Sequence, residues 1–216
     1  MNPSLLKATA PAEYKVRFTT AKDKSFVVDI HRDWAPQGAD RFYNLVKNNF
    51  FTGVRFYRVS PGFVVQFGVS PEPKITQTWA GARIQDDPVK EKNTKGRLTF
   101  AMGGPNTRTT QLFFNLKDNT PLDGMGFAPI GEVTEGMDVV EGVFSGYGEI
   151  REQGGSGPEQ MKVMMEGEKY LKASFDNLDT IQSARVIAGE PPPAPPKPAA
   201  KKSAAPPAKA GTAPKK

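Results

Sequence analysis

The chain has 216 residues, a formal net charge of +6, 20 prolines and no cysteine. That length suits one good hydrophobic core with appendages better than two large domains, and the missing cysteines exclude disulfides, thiolate nucleophiles and cysteine-ligated zinc. Six lysines and one acid fall in residues 190–216, so the rest of the chain is close to neutral and has no compositional signal for nucleic-acid binding.

Residues 1–13 read as an N-terminal extension without the basic flank and apolar stretch of a signal peptide. No apolar run approaches the roughly 20 residues needed to cross a bilayer. The chain therefore reads as soluble and cytoplasmic by default, and as periplasmic if a leader has been removed. Tyr14 to Thr19 and Ser25 to Ile30 are β-rich runs on either side of the charged turn Lys22-Asp23-Lys24, which predicts a hairpin. Ala39 to Asn48 places Phe42, Leu45 and Val46 at helical spacing, with Asn48 and Asn49 as stop signals. Strand-like segments follow at Arg55 to Val59, Phe63 to Phe67, Arg97 to Met102, Gln111 to Leu116 and Ile130 to Val133, divided by turns bearing glycine and proline. Glu159 to Gly167 and Glu168 to Phe175 read as short helices within an extended segment over about 147–178, and Ile181 to Ile187 as a last strand. Many short strands with few helices predict a mainly β domain over 14–189, an antiparallel sandwich or barrel whose terminal strand closes the edge. Residues 190–216 hold nine of the prolines amid alanine and lysine and have little apolar surface to bury, which predicts a disordered tail. Its lysines offer contact with anionic surfaces; a solubilising or anchoring linker is the plainer reading.

Few residues here suit strong acid, base or nucleophile chemistry. His31 is the single histidine, follows a predicted strand and has no Gly-x-Ser-x-Gly elbow to accompany it, so it reads as structural. Asp86-Asp87 before Pro88 reads as a solvated turn, not a metal site. Gly103-Gly104-Pro105-Asn106-Thr107 lacks the following Gly-Lys-Ser/Thr of a phosphate cradle. No metal and no cofactor is expected. Prolyl isomerisation fits such a residue set, because its barrier of about 18–20 kcal/mol comes from amide resonance and no bond has to break. A hydrogen-bond donor to the imide nitrogen of the twisted amide, with an apolar slot for the proline ring, would lower it. Arginine suits the donor role, provided that its head faces the slot and is not sequestered by an acid. Strand alternation alone does not choose between Arg55 and Arg58, and Phe63, Phe113 and Leu122 read equally well as core.

Two blocks carry a family likeness. Phe56-Tyr57-Arg58-Val59-Ser60-Pro61-Gly62-Phe63-Val64-Val65-Gln66-Phe67-Gly68 resembles the cyclophilin signature Phe-His-Arg-Val-Ile-Pro-Gly-Phe-Met-x-Gln-Gly-Gly. Phe100-Ala101-Met102-Gly103-Gly104-Pro105-Asn106-Thr107, continuing to Gln111-Leu112-Phe113-Phe114, is similar to that family's second block. Leu122-Asp123-Gly124 and Gly131 to Val140 add two further matches in order, so the resemblance spans roughly residues 14–145. It implies a closed eight-stranded antiparallel barrel capped by helices, acting as a monomer on proline-containing polypeptides as a peptidyl-prolyl cis/trans isomerase. By motif match, Arg58 is the catalytic donor and Gln66 places the substrate. Phe63, Val64, Phe113 and Leu122 line the proline pocket, Ala101 and Met102 lie along the peptide, and Gln111 supports the arginine or the substrate, while Phe127 takes the pocket wall where the family usually has a histidine that this chain lacks.

Three departures stand out. Tyr57 replaces the family's histidine, Val64 its methionine, and Pro121 stands where many members carry the tryptophan that contacts cyclosporin, which implies weak binding of that inhibitor. They also prompt a second reading, a cyclophilin-fold module that holds proline peptides without turnover.

Overall fold

A computed structural model describes residues 1–189; the expected disordered tail at 190–216 lies outside the described residues. Eight strands form one antiparallel sheet: β1 (Glu13–Thr20), β2 (Ser25–His31), β3 (Arg58–Ser60), β4 (Val64–Phe67), β5 (Arg97–Phe100), β6 (Leu112–Asn115), β7 (Pro129–Glu135) and β8 (Ile181–Ala188). Their order across the sheet is β3-β4-β6-β5-β7-β2-β1-β8. The sheet is curled, with β3 and β8 as its two ends. Between them runs a seam at the chain ahead of β3, where Gly53 donates to the Ile181 carbonyl (2.8 Å), Ile181 to Val54 (2.8 Å) and Phe56 to Asp179 (3.0 Å).

The predicted hairpin is present, with Phe18 opposite Phe26 and Thr19 opposite Ser25. Inside the curl, Phe18, Phe26, Phe42, Phe51, Phe67 and Phe114 are fully buried and pack ring against ring, Phe18 and Phe26 stacked at 5.0 Å. Such rings contribute both large apolar area and specific edge and face contacts.

Among the described residues the α-helices are α1 (Pro36–Lys47), α2 (Pro73–Ala80), α3 (Met137–Glu141), α4 (Gln160–Glu166) and α5 (Glu168–Ser174), with α1 and α3 packed on strands of the sheet. Phe42, Leu45 and Val46 of α1 are buried as their spacing predicts. The helix nevertheless begins three residues earlier than its apolar pattern. Pro36 sits in its first turn, and the amides of Gln37 and Gly38 donate to the two carboxylate oxygens of Asp87, each at 2.9 Å. An acid from a distant loop thus supplies the cap that the local sequence lacks, where the helix dipole favours negative charge.

The same contacts correct the reading of Asp86-Asp87 as a solvated turn. Asp87 is buried and also accepts from Arg108 at 3.0 Å, while Asp86 accepts from Arg108 Nε at 3.2 Å and from the Asn106 amide. Arg108, itself 2% exposed, has a further bond to the Gln85 carbonyl. His31 stacks on Trp34 at 4.2 Å, a packing role. Among the described residues no cluster of metal-ligating side chains occurs, and no helix is long and apolar enough to cross a membrane.

Breaking a buried ion pair strands its partner. Asp87→Ala is therefore expected to lower unfolding free energy by about 3 kcal/mol in urea denaturation, with Asp86 still supporting Arg108. A loss below about 1 kcal/mol would show that this cap and pair matter little.

Candidate active site

The outer face of the sheet is organised by register. Arg58 on β3 pairs with Gln66 on β4, and Gln66 with Phe113 on β6, so these three side chains form a row across neighbouring strands. One residue along, Val59, Val65 and Phe114 pair in the same way and point into the core. Arg55, three positions before Arg58 and outside β3, is buried. It donates to Glu168 from Nε (2.9 Å) and Nη2 (2.5 Å), and to the carbonyls of Asp176 and Leu178, tying α5 to the sheet. Of the two arginines between which periodicity did not choose, Arg58 is the one that lines the groove described next.

A groove of about 330 Å³ opens over the row. It is lined by all ten residues expected from the sequence: Arg58, Phe63, Val64, Gln66, Ala101, Met102, Gln111, Phe113, Leu122 and Phe127. That volume is at the small end of the roughly 300–1,000 Å³ of ligand pockets, enough for a ring and its flanking atoms. Phe113 and Phe127 meet edge to face at 5.8 Å, and the Phe63 ring lies 5.8 Å from the guanidinium carbon of Arg58, within cation–π range. The groove thus joins an aromatic wall to a cation.

The amides are held in one network. The Tyr57 hydroxyl donates to Gln111 Oε1 at 2.6 Å and accepts from Gln66 Nε2 at 2.6 Å, while Gln66 Oε1 accepts from Arg58 Nη1 at 2.9 Å. Tyr57 is 1% exposed, and burial pushes its hydroxyl well above the usual phenol range despite the opposing charge of Arg58. It stays a neutral donor at any ordinary pH. One hydroxyl thus contacts both glutamines at once.

Arg58 has a second partner that the sequence did not disclose. Its Nε donates to Glu149 Oε1 (2.5 Å) and its Nη2 to Oε2 (2.8 Å), a side-on pair with both groups half-buried. A guanidinium carries five N–H groups; Glu149 takes two and Gln66 one, which leaves one on each terminal nitrogen. The head is oriented without being exhausted. Glu149 belongs to the segment after α3, which also contributes Ile150, Gln153 and Gln160 to the groove lining. Beneath it Tyr57, Val69, Ile150, Val163, Leu171, Phe175 and Leu178 form a second core of their own.

Three buried asparagines brace the pocket loops. Asn93 donates to the Phe127 carbonyl and accepts from Thr99 and Asn115, Asn115 accepts from Asn119, and Asn119 donates to the Phe63 carbonyl at 3.0 Å. A buried amide chain of this kind is rigid when fully satisfied. In the sequence Asn115 shows only as a polar residue between Phe114 and Leu116. On the other rim, Arg41 donates to the carbonyls of Ala82 (2.7 Å) and Thr109 (2.8 Å) and lies 5.0 Å over Trp79. Burial and the charge of Arg108 bring its pKa down to about 10.

A family model described as cyclophilin type peptidyl-prolyl cis-trans isomerase/CLD matches residues 15–164. The chain belongs to this family. Among curated relatives, a peptidyl-prolyl cis-trans isomerase of Acinetobacter baylyi is 35% identical over 120 residues, covering 53% of this chain and 63% of that protein. This chain therefore spans less than two thirds of that relative. Peptidyl-prolyl cis-trans isomerase B of Escherichia coli is 32% identical over 129 residues, covering 53% of this chain and 75% of that protein. A cyclophilin type peptidyl-prolyl cis-trans isomerase crystal structure from Cryptosporidium parvum superposes with a TM-score of 0.59 at 17% identity, covering 82% of this chain and 99% of that one, a likeness of fold.

Because Tyr57 bridges two glutamines, Tyr57→Phe removes one hydroxyl from this cyclophilin site and leaves the ring in place. A stability loss of about 1 kcal/mol is expected, with faster hydrogen exchange at the Gln66 side-chain amide in NMR spectra. Unchanged exchange at that amide would show that the hydroxyl does not organise the network.

Proposed function

We propose that the protein is a peptidyl-prolyl cis/trans isomerase that accelerates Xaa-Pro rotation in other polypeptides during folding. The observation that carries this reading is the Arg58 head, with two N–H groups left over, beside an apolar hollow lined by Phe63, Phe113, Leu122 and Phe127. In this reading the hollow grips the pyrrolidine ring and leaves the preceding carbonyl free to turn. As the amide twists, its nitrogen becomes pyramidal and regains a lone pair, to which Arg58 donates. The bond forms only near the transition state, so it lowers the barrier without deepening the ground state.

Gln66 acts twice, as the clamp on Arg58 and as a contact for the substrate. Ala101, Met102 and Gln111 follow the peptide backbone, and Val64 forms the floor. No proton transfer and no covalent intermediate is required, in keeping with a groove built from amides, aromatics and one arginine. The working unit in this reading is a monomeric domain over 14–189, closed as a barrel through the seam at 53–56 and 179–181.

A hydrogen bond to a charged donor contributes about 1.5–3 kcal/mol, or roughly ten- to a hundredfold in rate. Uncatalysed proline-limited refolding takes about tens of seconds, and the protein is expected to shorten that phase in a fluorescence refolding assay. Arg58→Lys keeps the charge but loses the planar fork, and is expected to lower the acceleration about tenfold or more. No acceleration by the wild type, with peptide binding retained, would favour the binding-module reading.

A further inference from the structure

The segment from Gly148 to Pro158 is glycine-rich and folds back on itself. The Gly155 amide donates to the Ile150 carbonyl (3.0 Å) and the Gly157 amide to the Glu149 carbonyl (2.8 Å). A side chain at Gly155 would collide with that same Glu149 carbonyl, so this close approach requires glycine. Ile150, 2% exposed, anchors the turn in the second core beside Val163 and Leu171. One residue earlier, Glu149 is delivered to the groove edge. Its Oε1 also accepts from the Ile150 amide at 2.8 Å, so the carboxylate is itself held from behind. Burial works against its charge, yet the bonds from Arg58, the Ile150 amide and Ser60 outweigh it and hold Glu149 below the usual carboxylate range.

A free arginine side chain samples many rotamers, and holding it in one costs conformational entropy. The single bond from Gln66 fixes one nitrogen but leaves the plane of the head free to rotate. A bidentate carboxylate fixes the plane as well. Glu149 holds Nε and one hydrogen of Nη2, which leaves the second Nη2 hydrogen and one on Nη1 without a protein partner among the described residues.

We propose that Glu149 is a positioning residue of the isomerase site, locking the Arg58 guanidinium in the plane from which its two free N–H groups face the groove. The proposal rests on Arg58 being the donor to the prolyl nitrogen. It makes the segment after α3 part of the active site and not merely a cover on the sheet.

The test uses the full chain with Glu149→Ala, Glu149→Gln, Arg58→Ala and the double variant Arg58→Ala/Glu149→Ala. For each, kcat and KM on an Xaa-Pro peptide are measured, and for the wild type and the two variants that keep Arg58 the NMR signal of its Nε–H is followed as well. Glu149→Ala is expected to lower kcat about tenfold with KM within about twofold, a loss of about 1.4 kcal/mol in transition-state binding, and to expose the Nε–H to rapid exchange. The isosteric Glu149→Gln keeps one acceptor and guards against collapse of the turn; its kcat is expected between the two. In the Arg58→Ala background, removing Glu149 is expected to change nothing further, because its action runs through the arginine. Wild-type kcat in Glu149→Ala, a rise above wild type, or a further loss in the double variant would overturn the proposal. Arg58→Ala at the wild-type rate would instead remove the underlying reading of the site, and this one with it.

Discussion

The head of Arg58 is held from two directions by parts of the chain that are far apart in sequence. Gln66 approaches from the adjacent strand, and Glu149 from a glycine-rich turn about ninety residues on. Everything else around the groove can be understood as keeping those two contacts in place. Tyr57 fixes Gln66, the second core fixes the turn that carries Glu149, and Arg55 ties α5 back to the sheet through Glu168. The pair is half-buried, so its effect on stability is modest, and in the proposed reading its effect on geometry is the larger one. Preorganisation of a donor is worth more to a reaction than an equally strong contact that has to form anew each time.

The two faces of the sheet divide the work. Arg58, Gln66 and Phe113 make a row on the outer side, while Val59, Val65 and Phe114 make a row in the core. A slip of one residue in β4 would send Gln66 inward and Val65 outward, so the apolar core enforces the register on which the site depends. In this way burial of aromatic side chains on one face fixes polar geometry on the other.

Local patterns were readable where local physics decides. The β1–β2 hairpin, the buried stripe of α1, the two short helices α4 and α5 and the last strand follow from alternation, helical spacing and turn residues. All ten expected groove residues line one cavity because motif resemblance carries spatial information that periodicity lacks. What escaped the sequence was decided by partners far along the chain. Asp87 looked like a solvated turn because nothing nearby in sequence announces Arg108 or the start of α1. Glu149 drew no reading from the sequence, since its contact with Arg58 arises only when a separate turn folds back to β3. The asparagine brace behind Phe63 and Phe127 was hidden for the same reason.

The most direct test of the account is exchange spectroscopy on a short Xaa-Pro peptide, comparing wild type with Arg58→Ala at matched saturation. The account predicts fast interconversion of the cis and trans signals with the wild type, and about ten- to a hundredfold slower interconversion with the variant while the peptide remains bound. Equal exchange rates for the two proteins would contradict it.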